Sequence, residues 1–83
     1  MEEKLIGKIT HYFGKISVAI VELSDVLKVG DRVHIKGHST DFEQDISSIQ
    51  IEHENVEKAK KGDAIGIKID EKVREGDEVY LVV

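Results

Sequence analysis

Apolar and polar residues alternate along most of this 83-residue chain, and the period is that of β-strands. Residues 5–13, 16–23, 31–37, 42–53, 63–70 and 78–83 read as six strands. The pattern is cleanest at 31–37, where Val33 and Ile35 take one face and Arg32, His34 and Lys36 the other. It also holds at 63–70, where Ile65, Ile67 and Ile69 alternate with Ala64, Gly66 and Lys68. In 5–13 it places Leu5, Gly7, Ile9, His11 and Phe13 on one face and Ile6, Lys8, Thr10 and Tyr12 on the other. Gly14 opens a tight connection to the second strand. Within 42–53 the phase slips around Ser47-Ser48, which predicts a β-bulge in one long strand. Residues 55–61 are the only stretch that suits a helical turn, with Asn55 as its cap.

One unit is written three times: Leu27-Lys28-Val29-Gly30-Asp31-Arg32-Val33, Ala59-Lys60-Lys61-Gly62-Asp63-Ala64-Ile65 and Val73-Arg74-Glu75-Gly76-Asp77-Glu78-Val79. Each runs apolar, basic, spacer, Gly-Asp, spacer, Val or Ile. Glycine reaches positive φ at no steric cost, and aspartate accepts from backbone N–H groups just ahead of it. Each unit therefore turns the chain and launches a strand. Six strands with short turns leave exposed edges unless the sheet closes, so the sequence predicts a single all-β domain over 1–83, a closed six-stranded β-barrel.

Composition narrows the function. There is no cysteine, which excludes disulfides and thiolate chemistry. No signal peptide or transmembrane run is visible, and a cytoplasmic protein without a membrane partner is expected. Seventeen acids against twelve bases give −5, divided as +1 over residues 1–40 and −6 over 41–83. A phosphate-binding loop is missing, because Gly62 to Gly66 leads into a strand without a following Lys-Ser/Thr. His38, Ser39 and Asp41 have the residue types of a catalytic triad but crowd into one loop. His34, His38 and Asp41 make a poor metal set, and His11 and His53 fall at strand positions that suit partly buried, hydrogen-bonded imidazoles. Neither catalysis, a metal nor a cofactor is expected. Tyr12, near Lys8 and Lys15, could stack a base, against the plainer reading that it covers a barrel end.

The order Gly7-Lys8-Ile9, Ala19-Ile20-Val21, Leu27 to Val33, Ala59 to Ile67 and Arg74 to Val79 resembles the second, β-barrel domain of translational GTPases such as elongation factor Tu and initiation factor two. The chain is more closely similar to small translation elongation factor-like proteins. It also resembles the barrel appended to collagenase-like peptidases, through Val29 to Val33 followed by Phe42-Glu43-Gln44-Asp45-Ile46. This resemblance implies the elongation factor domain 2 type of barrel and a non-enzymatic binding module. The GTPase domain is absent, so no GTP binding by this chain alone is implied. The module would dock on ribosomal or transfer RNA or a translation-associated protein. The alternative is a protein–protein adaptor for a separate catalytic partner, peptidase-like or RNA-modifying. The outward, least acidic positions Lys8, Tyr12, Lys15, Arg32, His34 and Lys36 are the expected partner surface.

Overall fold

The computed structural model describes residues 2–83, and every element in them is a strand. In chain order these are β1 (Glu3–Phe13), β2 (Val18–Leu23), β3 (Leu27–Lys28), β4 (Arg32–Lys36), β5 (Asp41–Asp45), β6 (Ile49–Ile51), β7 (Glu54–Val56), β8 (Lys58–Ala59), β9 (Ala64–Lys68) and β10 (Glu78–Val82). Eight form one antiparallel sheet in the order β5-β4-β10-β1-β2-β9-β6-β7, and β3 pairs with β8 in a separate ribbon. Among the described residues no helix is long and apolar enough to cross a membrane.

The all-β expectation holds; the closed six-stranded barrel and the helical turn do not. Residues 55–61 instead supply parts of β7 and β8. The predicted long strand 42–53 breaks at residues 46–48, where Ile46 is buried and its N–H donates to the Asp31 carbonyl at 2.8 Å. Its first half stays with β4, while its second half joins β9 and β7. A strand divided in this way cannot carry one continuous ladder around a barrel, so the sheet remains open at β5 and β7. The sheet curls, and a side chain bridges the seam. Buried Gln44 on β5 donates from Nε2 to the Lys68 carbonyl (2.7 Å) and accepts the Asp70 N–H on Oε1 (2.8 Å).

The three repeated units fold alike. Gly30, Gly62 and Gly76 have φ of 97°, 93° and 94°, and the N–H of Asp31, Asp63 and Asp77 closes each turn on the carbonyl three residues back. That is the signature of type II turns, which need glycine at the third position. Each aspartate carboxylate accepts the N–H of the basic residue, Lys28, Lys60 or Arg74, at 2.8–3.0 Å. Each glycine N–H then donates to the carbonyl of a buried residue distant in the chain, Ile46, Leu23 or Ile9, whose own N–H returns to the aspartate carbonyl. The flanking apolar residues Leu27, Val33, Ala59, Ile65, Val73 and Val79 all sit in the core. One local code thus plugs three turns into the sheet by the same pair of bonds.

Register changes twice in β1. Leu5 pairs with Tyr80 and Gly7 with Val79, leaving Ile6 as an extra residue; Thr10 is extra between the Ile9 and His11 pairs with β2. Each bulge moves the residues beyond it to the opposite face. Ile6 and Ile9 therefore point inward and Tyr12 packs against the core, while Leu5, Lys8, His11 and Phe13 point outward. The strict alternation expected for 5–13 is corrected accordingly.

Candidate functional site

Two surfaces combine chemistry with defined geometry. The first is the outer face of β4, which presents Arg32, His34 and Lys36 as the sequence predicts. Cross-strand neighbours on β5 are Asp45, Glu43 and Asp41, and β10 contributes Tyr80 and Glu78. Arg32 binds Glu43 through Nε (3.0 Å) and Asp45 through Nη1 (3.1 Å). His34 lies between two carboxylates, with Nδ1 at 2.5 Å from Glu3 and Nε2 hydrogen-bonded to Asp41. Lys36 reaches Glu3 at 3.4 Å and sits over the Tyr80 ring.

These three bases form an ion-pair network with four carboxylates, Glu3, Asp41, Glu43 and Asp45. Glu3, His34 and Glu43 bring ligand atoms within 4.8 Å of one another and so could approach a metal ion. The carboxylates already face Lys36 and Arg32, and both imidazole nitrogens face carboxylates. His38 stays exposed in its loop, and Asp41 turns to His34. Lys8 lies on β1 with Glu22 and Glu78 as cross-strand partners, and Lys15 is exposed in the β1–β2 connection. The structure therefore gathers Arg32, His34 and Lys36, brings Lys8 to the same face across Glu78 of β10, and leaves Tyr12 and Lys15 apart from them. Tyr12 is half-buried and packs against the core.

The His34 clamp carries a pH signature. Asp41 and then Glu3 hold the imidazole above its ordinary pKa, and His34 holds both carboxyls below theirs. A raised histidine stabilises the fold fully below its ordinary value of about 6.5 and loses that contribution as pH rises through the raised pKa. The lowered carboxyls contribute above their ordinary range of about 4 and lose it as pH falls through the depressed values. The network is therefore strongest between about pH 4.5 and 6.5. His34→Gln should lower Tm more at pH 6 than at pH 8.5. An equal loss at both, in paired thermal melts, would rule the clamp out.

The second surface was not anticipated. Phe13 and Ile16 are 45% and 63% exposed, and with half-buried Val18 and Ile20 they line a groove of about 290 Å³ floored by Gly66. The exposed aromatic of the Tyr12-Phe13 pair is thus Phe13, whose ring meets the His11 ring at a tilt of 50° with centroids 4.7 Å apart; His11 is exposed and pairs with Glu75. The connection opens at Gly14 as expected, and its positive-φ residue is Ser17, at φ 55°.

Across the groove, the two-residue turn from β6 to β7 is Glu52-His53, with φ of 51° and 67°. Positive φ at both positions is the type I′ requirement, ordinarily met by Asn-Gly. Non-glycine residues there cost about 1 kcal/mol each. His53 is therefore an exposed turn residue and not a strand residue. The missed signal was the pair of bulges in β1, which no alternation reports.

Comparison with known proteins narrows the class before it suggests a role. No family model matches the chain. The fold is that of the C-terminal domain of a Geobacillus thermoleovorans protein described as a U32 peptidase: TM-score 0.91, 18% identity, 96% of this chain and 93% of that one. At that identity the likeness concerns the fold alone.

Sequence similarity adds a second relation. The chain is 46% identical over 78 residues to an uncharacterized protease of Methanocaldococcus jannaschii, covering 93% of this chain and 19% of that protein. It is 38% identical over 81 residues to a collagenase of Porphyromonas gingivalis, covering 95% of this chain and 22% of that protein. The chain spans about a fifth of the length of these curated relatives. The similarity to a peptidase-associated domain is upheld, and the translation-factor reading with its docking on translational RNA is overturned.

Proposed function

We propose that this chain is a non-catalytic docking domain for a U32-type peptidase or collagenase catalytic region. The observation that carries this reading is the 46% identity spread over 93% of the chain but confined to 19% of the protease. A domain-sized segment, matched nearly end to end, accompanies a much larger region that it does not contain. The groove at Phe13, Ile16, Val18 and Ile20 is the docking face. Apolar side chains open to water beside a strained turn are the features that binding surfaces retain at the expense of stability.

The test pairs this chain with the catalytic region of a matched protease expressed without its corresponding segment. The two should form a stoichiometric complex by calorimetry. Phe13→Ser/Ile16→Asp should weaken it at least tenfold, the loss expected for removing two apolar anchors worth about 1 kcal/mol or more each. Both residues are exposed, so Tm should hardly change. Absence of a complex, or unaltered affinity of the variant, would refute the reading.

A further inference from the structure

A different face carries a charge arrangement that stability does not explain. In the β3–β8 ribbon, Leu27 faces Ala59 and both are buried; the next pair places Lys28 directly opposite Lys58. Like charges directly opposite on a ladder repel, because the side chains leave the pleat only ~5 Å apart. Lys60 lies two residues beyond Lys58, across buried Ala59, and Lys61 follows; all four lysines are exposed.

Neutralisation from within the domain is restricted. Among the described residues the ion pairs engage Lys4, His11, Arg32, His34 and Lys36, and none engages these four. The aspartates of the adjoining turns are committed to the backbone: Asp31 accepts the Lys28 N–H at 2.9 Å and Asp63 the Lys60 N–H at 3.0 Å. Asp25 is bound to Lys4 and feels the charge of Lys61 without forming an ion pair with it. Four exposed lysines thus gather on and just beyond one short ribbon in a chain of net charge −5, beside the aspartates of its two turns and in no ion pair with them.

We propose that Lys28, Lys58, Lys60 and Lys61 form an electrostatic docking patch for an acidic polypeptide face on the peptidase-type catalytic region. This rests on the docking function above and adds a second, charge-selective contact to it. The carboxylates of the partner supply ion pairs to lysines that none within the domain engages. Such contacts steer association and set partner choice, and they weaken as salt screens them.

Two measurements test it. First, Lys58→Glu converts the opposed pair to an attractive one, so the isolated domain should melt a few degrees higher. Lys58→Glu should at the same time bind the catalytic region about tenfold more weakly, with a flatter salt dependence. Lys72→Glu, in the 70–74 connector, is the matched charge control and should bind as wild type. Second, poly-L-glutamate should be bound by the wild-type chain at low salt and lost in Lys28→Glu/Lys58→Glu.

If the catalytic region binds, but with equal affinity and salt dependence in Lys58→Glu, the patch is refuted while the docking function stands. If no complex forms at all, the docking function fails first. Tighter binding of a single-stranded RNA of equal charge than of poly-L-glutamate would overturn the choice of partner.

Discussion

Gly37→Ala should destabilise the domain by about 2–4 kcal/mol, a cost in the range of buried steric conflict. For a chain of this size that lowers Tm by roughly 10–25 °C. A methyl at position 37 would overlap the carboxylate of Asp77, which is only 5% exposed. Asp77 has nowhere neutral to move. Its Oδ2 caps the Arg74 N–H at 2.8 Å, and its backbone exchanges bonds with Ile9 through the third Gly-Asp turn. Expelling the carboxylate undoes the cap and loosens the junction of β1 with the turn before β10. The coupling can be measured: Gly37→Ala/Asp77→Ala should be no less stable than Asp77→Ala alone. Simple additivity of the two losses in a double-mutant cycle would contradict the geometry.

Gln44→Leu should cost about 2–4 kcal/mol, because it deletes two hydrogen bonds at a buried seam and leaves their partners to find water. The Lys68 carbonyl and the Asp70 N–H are joined to edge strand β5 only through this amide. The loss should be local as well as global. Amide exchange should speed most at residues 41–46 and 68–70, and chemical denaturation should show the shortfall directly. Retention of near wild-type stability would mean that the curled sheet is held by its apolar core alone.

Much of the fold is legible in the sequence, and the misses have a common physical origin. Arg32 to Lys36 and Ala64 to Lys68 were readable because they are short, uninterrupted and buried on one face. The Gly-Asp repeat announced three turns through glycine stereochemistry and aspartate capping. It could not announce that Ile9, Leu23 and Ile46 receive them, since those bonds join main-chain groups far apart in sequence.

The errors lie where register shifts. A bulge adds a residue without leaving a compositional mark, so the alternation could not place Phe13 outside with Tyr12 packed against the core. The break at 46–48 turned a continuous strand into two and left the sheet open. Strand periodicity likewise cannot show that Arg32, His34 and Lys36 meet four carboxylates, because those arrive from β1 and β5. Nor does it reveal the Glu52-His53 turn, whose residues contradict the usual I′ chemistry. The lysines at 28 and 58 are plain in the sequence, but their opposition across a ladder is not.

The most direct test of the docking account is amide hydrogen exchange on this chain, alone and saturated with the catalytic region of a matched protease. The account predicts slowed exchange over residues 13–20, 50–53 and 64–66 around the apolar groove, with further slowing at 27–28 and 58–61. Slowing confined to the ion-paired face at 32–36 and 41–45, or no change anywhere on the chain, would contradict it.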